Sequence, residues 1–259
     1  MRLLLTNDDG INAPGLAVLE AIAAELAAPE DVWVVAPAAE QSGVAHCISY
    51  TRPLLMTQLG ERRFAVEGYP GDCVIAGIHE AMKDKPDLVL SGVNRGNNSA
   101  ENALYSGTLG AALEGALQGV PSIALSQYYG PANAGADDAF EAARLYGADV
   151  IRRVRNAGFD SAAPYGLFYN VNFPPVPAAD VQGMRAVHQG VRPNVHFQAE
   201  SSIAPNGRTF LWIRGGNQHV EMPEASDAGA NMAGYISVTP MRADLTAHDA
   251  LAKVGEALS

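Results

Sequence analysis

Short apolar runs alternate with amphipathic segments along the first half of the chain. Apolar residues recur at spacings of three and four from residue 16 to Pro29, which predicts a helix. A second helix, rich in Ala, Leu and Gly, is predicted over 108–118. Four runs are typical of strands buried on both faces of a parallel sheet, and they cover residues 2–6, 32–36, 86–92 and 122–126. This alternation predicts an α/β fold with a doubly wound, mostly parallel sheet.

Between the second and third runs the pattern predicts a hairpin and a helix. Residues 48–57 and 63–66 are rich in strand-forming side chains, and a turn is expected at Gly60. Asp72 follows a Tyr-Pro-Gly break, so it is the predicted N-cap of a helix that reaches about Met82.

The second half of the chain is less regular. Apolar residues stripe a predicted helix over 140–154, and strands are predicted over 167–173 and 234–240. Residues 184–213 contain hairpin-like segments, with turn residues at 205–207. A hairpin that lacks an apolar face of its own could pack on a second subunit.

Two adjacent carboxylates, Asp8 and Asp9, follow the first predicted strand. Carboxylates this close repel each other, and a divalent cation bound through oxygen ligands commonly offsets the repulsion. A second interpretation stays open at this point, in which one carboxylate caps the following helix and the other is solvated.

The loops after the next strands offer further oxygen donors. Ser42 lies beyond the second strand and Asn94 beyond the strand over 86–92. Ligands bind outside the carboxyl ends of parallel strands, so these loops should converge on a shell of Asp8, Asp9, Ser42 and Asn94. Oxygen donors favour Mg²⁺, Mn²⁺ or Ca²⁺ over zinc, and such an ion polarises a phosphoryl oxygen and activates a bound water.

A candidate phosphate cradle follows the polar loop over 94–107. Ser106, Gly107 and Thr108 lie immediately ahead of the predicted helix, where hydroxyls, backbone N–H groups and the helix dipole all favour an anion. A simple helix cap would use the same residues.

Composition narrows the classes of partner. The chain has 259 residues and a formal net charge of -11, so a nucleic-acid polymer or an anionic membrane surface is not expected as a partner. The two cysteines, Cys47 and Cys73, have no metal-ligand spacing and are expected to be reduced. No apolar stretch is long enough for a membrane helix, and a cytoplasmic location is expected.

Several common signatures are absent from the sequence. No GxxxxGK[ST] occurs, and no GxGxxG follows the first strand, which disfavours P-loop and dinucleotide binding. No GxSxG elbow is present, so a serine nucleophile of that type is not expected.

The ordered motifs resemble the SurE stationary-phase survival proteins, which are metal-dependent 5'-nucleotidases. The resemblance spans nearly the whole chain and rests on TNDDGI from Thr6, VAP from Val35, QSG from Gln41, SGVNRGNN from Ser91, YSGTLGAALEG from Tyr105, NVNFP from Asn170 and GYISVTP from Gly234. It implies a three-layer, Rossmann-like sheet with an irregular C-terminal part. It also implies hydrolysis of nucleoside 5'-monophosphates, with 3'-nucleotides and short polyphosphate as further family substrates.

The resemblance implies roles for individual residues. Asp8, Asp9 and Asn94 become the expected catalytic residues, and with Ser42 they would hold one Mg²⁺ or Mn²⁺ per subunit. Phosphate contacts are implied for Asn94, Ser106, Gly107 and Thr108. Asn7 is expected either to orient a carboxylate or to contact the phosphate, and Asp8 or Asp9 is the candidate proton acceptor by proximity alone.

Organisation and alternatives follow from the same resemblance. Residues 1–130 are expected to form the Rossmann-like metal- and phosphate-binding core. Residues 131–259 are expected to add oligomerisation hairpins, integrated with that core, in a homodimer or homotetramer. An exopolyphosphatase with the same site and a non-catalytic nucleotide-binding module are the alternative functions. Tyr69 and residues 227–233 depart from the family pattern, which leaves the preferred nucleotide open.

Overall fold

A single mixed sheet organises the computed structural model, which describes residues 1–133, 135–160 and 165–259. In the described residues the sheet has the strand order β3-β4-β2-β1-β5-β6-β7-β11-β8, and β9 and β10 form a separate hairpin. The strands are β1 (Leu3–Thr6), β2 (Val32–Pro37), β3 (Met56–Gly60), β4 (Arg63–Val66), β5 (Leu88–Arg95), β6 (Ser122–Gln127), β7 (Phe168–Phe173), β8 (Gly183–Ala186), β9 (Gln198–Ile203), β10 (Thr209–Arg214) and β11 (Tyr235–Met241). The helices are α1 (Pro14–Ala24), α2 (Pro70–Ala76), α3 (Gly107–Leu117), α4 (Glu141–Ala157), α5 (Asp227–Met232) and α6 (Leu251–Leu258).

Alternating side chains of the central strands face two separate apolar layers. Leu3 and Leu5 pack in the cluster that contains α1 and α4, whereas Leu4 packs on the other face with residues of α2. All three leucines are fully buried. The sheet is therefore the middle of three layers, and the predicted α/β class is confirmed.

The central strands from β4 to β7 are parallel, as predicted, and the edges are not. β3 pairs antiparallel with β4, and β11 pairs antiparallel with β7. Strands from both sides of residue 130 thus belong to one sheet. All carboxyl ends of β1, β2, β5 and β6 lie at one edge, which is where ligands of such sheets bind.

Three local expectations need correction. Residues 48–55 are not a strand, because Ser49 N–H donates to Asp72 Oδ1 at 2.9 Å and ties this segment to α2 instead. Asp72 is not the N-cap: α2 starts at Pro70, whose fixed φ suits a first helical position, and Asp72 accepts from Tyr69 N–H at 2.8 Å. The loop predicted from residue 94 begins later, because β5 continues to Arg95.

The hairpin of β9 and β10 stands apart from the core. Its turn falls at residues 204–208, where the Pro-Asn-Gly signal predicted it. Every residue of both strands is exposed. The terminal helix α6 was not predicted and is likewise exposed. Among the described residues, no helix combines the length and apolar character that crossing a membrane requires.

Candidate metal and phosphate site

The turn after β1 is held by a buried amide. Asn7 Nδ2 donates to Gly10 O at 2.9 Å, and Gly10 N–H donates to Asn7 Oδ1 at 3.2 Å. Gly10 has a φ of +100°, a conformation that glycine adopts without strain. Both polar groups of Asn7 are thereby used in the turn that presents Asp8 and Asp9, which favours its orienting role.

Asp8 is a buried carboxylate, with 4% of its surface exposed. Burial raises its pKa to about 7, Asp9 repels the charge further, and a hydrogen bond from Thr108 opposes both effects. That bond runs from Thr108 Oγ1 to Asp8 Oδ1 at 2.7 Å. The structure therefore brings the first strand end against the start of α3, although a hundred residues separate them.

Asp9 is half-buried and faces another loop. Arg95 N–H donates to Asp9 Oδ2 at 3.1 Å. Burial raises the pKa of Asp9, the Arg95 hydrogen bond lowers it, and the charge of Glu40 raises it. The N-cap of α1 is Ala13, which makes no side-chain cap, so the alternative that Asp8 or Asp9 caps this helix is wrong.

Ser42 and Asn94 are presented by the two neighbouring loops. Ser42 Oγ donates to Glu40 Oε1 at 2.8 Å, and Gln41 N–H donates to Asp8 O at 2.7 Å, which binds this loop to the β1 turn. The ladder between β5 and β6 is irregular between Ser91 and Asn94, just before the site. Asn94 Nδ2 donates to Gly96 O at 2.9 Å, an orientation that leaves the amide oxygen as its ligand atom.

The start of α3 forms the third side of the site. Ser106 is the N-cap, and its Oγ accepts from Leu109 N–H at 3.1 Å. The helix-cap interpretation is therefore correct for Ser106, whose hydroxyl hydrogen can still be donated. Gly107 passes so close to Asp8 that an added Cβ would lie 2.9 Å from the Asp8 Cβ. Only glycine fits between this carboxylate and the helix.

A cavity of about 310 Å³, here called the main cavity, opens in front of these groups. It brings together four of the predicted residues, Asp8, Ser42, Asn94 and Ser106, and is also lined by Gly43, Arg95, Gly96, Asn97, Asn98, Asn102, Tyr105, Phe197 and Gln218. Asp9 lines a neighbouring cavity. Asn7, Gly107 and Thr108 line neither and support Asp8 from behind.

Sequence reasoning assigned no role to a buried amide network behind Thr108. Asn98 Nδ2 donates to Thr108 Oγ1 at 3.2 Å, so the Thr108 hydroxyl is free to donate to Asp8. Asn98 N–H in turn donates to Asn172 Oδ1 at 2.7 Å. Asn98 and Asn172 lie in the SGVNRGNN and NVNFP motifs, which were the available signal.

A buried arginine was also missed. The Arg192 side chain is fully buried; it donates from Nη2 to Asn97 Oδ1 at 2.9 Å and from Nη1 to Glu101 Oε1 at 2.9 Å. Asp227 accepts from Ala100 N–H at 3.0 Å and closes the same segment from its other side. These contacts hold the wall of the main cavity in place. They join residues far apart in the sequence, so no local sequence pattern indicates them.

The donor set fits a hard divalent cation. Asp8, Ser42 and Asn94 line the main cavity, and Asp9 lines the neighbouring one. Within residues 1–133, 135–160 and 165–259 no cluster of three or more His, Cys, Asp or Glu side chains could hold a metal. Oxygen-only donors suit Mg²⁺, Mn²⁺ or Ca²⁺. Burial raises the pKa of both Asp8 and Asp9, and a bound cation would oppose that effect by favouring the charged carboxylates.

Fold and site together define an α/β protein that gathers carboxylate, hydroxyl and amide side chains at the carboxyl edge of its sheet. The family model described as "Survival protein SurE" matches residues 3–195. The chain is 64% identical to a protein named 5'-nucleotidase SurE from Ruegeria pomeroyi, over 97% of each chain, and 62% identical to one from Jannaschia sp. over the whole of both. The SurE protein structure from Aquifex aeolicus matches all of both chains at a TM-score of 0.82 and 34% identity. The chain belongs to the SurE family.

Proposed function

We propose that this protein is a 5'-nucleotidase that hydrolyses nucleoside 5'-monophosphates to a nucleoside and phosphate with the help of a divalent cation. The observation that carries the proposal is the buried Asp8 carboxylate, which accepts a hydrogen bond from Thr108 at the start of α3 and has Asp9 next to it in the same turn. Cation and anion binding groups lie side by side there, as a phosphate ester and its metal require. The relatives that are 64% and 62% identical to this chain are named 5'-nucleotidase SurE.

One Mg²⁺ or Mn²⁺ per subunit is proposed at Asp8, Asp9, Ser42 and Asn94. When bound, the ion would supply a Lewis acid for the phosphoryl oxygens and lower the pKa of a water. Asp8 and Asp9 neutralise the cation, whereas Ser42 and Asn94 complete its oxygen donors without adding charge.

The remaining residues hold the phosphate and the carboxylates. Ser106 lines the main cavity, where its hydroxyl and the dipole of α3 would offset negative charge that develops on the phosphoryl oxygens. Thr108 donates to Asp8 and fixes one of its oxygens. Asp8 or Asp9 is the proposed proton acceptor for the attacking water, by proximity to it.

Phosphate release from a panel of substrates tests this function. Nucleoside 5'- and 3'-monophosphates and short polyphosphate are incubated with the purified chain, with Mg²⁺, with Mn²⁺ and with excess chelator. Release from 5'-monophosphates that the chelator abolishes is the expected result. Release from polyphosphate alone would favour the exopolyphosphatase. Nucleotide binding without any phosphate release would leave only a binding module.

A homodimer or homotetramer in the cytoplasm is proposed as the working state. The support is the hairpin of β9 and β10, whose large apolar side chains are uncovered in the single chain, with Trp212 60% exposed. Such a surface is normally covered by a partner. Sedimentation of the purified chain over a range of concentrations would detect the oligomer, and a monomer throughout would contradict it.

A further inference from the structure

A second cavity lies on the far side of Asp9. It has a volume of about 360 Å³ and is here called the side chamber; its lining includes Asp9, Glu40, Arg95, Tyr129 and Phe140. Its walls come from the β1 turn, the start of α1, the loop after β2, the end of β5 and the segment before α4. The side chamber and the main cavity share Arg95.

Aromatic rings form one wall of the side chamber. The rings of Tyr129 and Phe140 meet edge to face with centroids 5.8 Å apart. The Arg95 guanidinium carbon lies 5.6 Å from the Tyr129 ring centroid. Nucleobases of every type stack on aromatic rings and on guanidinium planes.

Two carboxylates, Asp9 and Glu40, also line the side chamber. Glu40 is exposed, and its Oε1 accepts from Ser42 Oγ at 2.8 Å. Among the described side chains that line the two cavities, Arg95 is the one cation. Glu40 would repel a further phosphate, but its oxygens accept hydrogen bonds from hydroxyl or amino groups.

The amides of the main cavity are already used. Asn97 Nδ2 donates to Gln218 Oε1 at 2.7 Å, and Asn97 Oδ1 accepts from Arg192. Asn98 Nδ2 is shared between Thr108 and Ser126. These side chains shape the main cavity rather than reading a ligand. The main cavity has a ring pair of its own, Tyr105 and Phe197. The side chamber differs in placing its ring pair beside an exposed carboxylate, Glu40, whose Oε2 can accept a hydrogen bond while Oε1 accepts from Ser42.

We propose that the side chamber binds the nucleoside of the substrate, with the base against Tyr129 and the sugar hydroxyls donating to Glu40. The proposal rests on the nucleotidase function proposed above. A phosphate held between Asp8, Asp9 and α3 borders this chamber directly, because Asp9 lines it. The chemical class recognised is a neutral nucleoside, attached through one phosphate.

Paired substrates separate nucleoside binding from phosphate chemistry. Tyr129→Ala should lower kcat/KM for AMP by about tenfold, mainly through KM, which is the usual loss for one base–aromatic stack. Glycerol 2-phosphate has no base, so its kcat/KM should change by no more than about twofold. The matched control is Tyr105→Ala, which removes an aromatic ring from the main cavity and should leave the AMP to glycerol 2-phosphate ratio as it is in the wild type.

Glu40→Gln provides a second variant at an exposed position, where folding is not at risk. It should raise KM for AMP several-fold more than KM for the 2',3'-dideoxy analogue, because that analogue has no sugar hydroxyls to donate, whereas any change transmitted through Ser42, which donates to Glu40, affects both nucleotides alike. An equal effect on both nucleotides would contradict the assignment of Glu40.

The outcomes distinguish this inference from the proposed function. The nucleoside does not bind in the side chamber if Tyr129→Ala lowers kcat/KM equally for AMP and for glycerol 2-phosphate. The same conclusion holds if Tyr105→Ala alone changes the ratio of the two kcat/KM values. If the wild type releases no phosphate from any ester, the nucleotidase proposal fails, and equilibrium dialysis with adenosine decides the inference alone. Weaker adenosine binding by Tyr129→Ala than by Tyr105→Ala would support it, and equal binding would overturn it.

Discussion

The edge of the sheet at Asp8 and the hairpin of β9 and β10 use polar and apolar side chains in opposite ways. At the sheet edge, the polar side chains of Asn7, Asp8 and Thr108 are buried and hydrogen-bonded to one another's turns or to α3. In the hairpin, apolar groups are exposed: Phe210 and Trp212 are 54% and 60% accessible. Burying polar groups costs free energy unless they are paired, and exposing apolar groups costs free energy unless they are covered.

The contrast shows which contacts stabilise each region. The site is assembled within one chain, from elements that pack on both faces of the sheet. The hairpin has no such support, and its two strands contact chiefly each other. Substitutions at the site should therefore lower the rate of phosphate release while the chain stays folded. Substitutions in the hairpin should instead weaken self-association.

The largest effect is expected at Asp8. Asp8→Asn removes the charge that balances a cation while keeping the shape of the side chain, so phosphate release should fall by about a thousandfold. Thermal unfolding should stay cooperative, because the neutral amide costs less to bury. Asp84→Asn, an exposed acid at the opposite end of the sheet, is the matched control and should retain full activity. Near-normal turnover by Asp8→Asn would rule out its ligand role.

A change on one face of the hairpin should act on assembly. Phe210 and Trp212 lie two residues apart in β10 and so share a face. Replacing both with Ser should weaken self-association by at least about a hundredfold, since each buried aromatic contributes about 1.5–3 kcal/mol and about 1.4 kcal/mol is tenfold. Analytical ultracentrifugation measures this shift. Ser202→Ala, opposite Phe210 in the hairpin, is the control, and an unchanged sedimentation profile for the double variant would contradict a hairpin interface.

Thr108→Val tests the hydrogen bond that holds Asp8. The valine has nearly the same shape but cannot donate, so the buried carboxylate loses a bond of the charged type, and kcat/KM should fall by about tenfold. Thr108→Ser keeps the hydroxyl and should stay close to wild type. Equal activity for the Val and Ser variants would show that the bond does not matter.

The smallest effect is expected in α3, away from the cavity. Burial alone would raise the pKa of Glu114, but hydrogen bonds from His46, at 2.7 Å, and from Gln118 outweigh it and lower the pKa below its ordinary value of 4.5. A lowered pKa stabilises the fold above pH 4.5, and this stabilisation is lost as the pH falls through the folded-state pKa.

Glu114→Gln should therefore unfold more easily than the wild type at pH 7, by about 1 kcal/mol. The difference between the two free energies of unfolding should shrink as the pH falls below 4.5. Urea titrations at a series of pH values measure it, and a gap that does not change with pH would show that the charge of Glu114 does not stabilise the fold.

The central half of the fold could be predicted because its signals are local. The apolar runs at β1, β2, β5 and β6 are long enough to identify, and the rule for parallel strands then places Asp8, Ser42 and Asn94 at one edge. The structure places these three on one cavity wall. Their roles toward a metal remain a prediction.

The remaining features depend on contacts distant in sequence. Residues 48–55 look like a strand, but a hydrogen bond to Asp72 directs them elsewhere. Arg192 reaches Asn97 across 95 residues and has no repeating pattern around it. The antiparallel pairing of β11 with β7 is also set by neighbours in space, and strand patterns alone do not specify direction.

The closeness of Gly107 to Asp8 limits which substitutions position 107 tolerates during evolution. A single methyl group at position 107 would meet the carboxylate whether or not any phosphate ever binds. Selection for a well-packed monomer alone therefore preserves this glycine. A homologue that had lost its enzymatic activity could therefore still retain this glycine. A glycine at this position in a distant homologue is weak evidence that the homologue is an active enzyme.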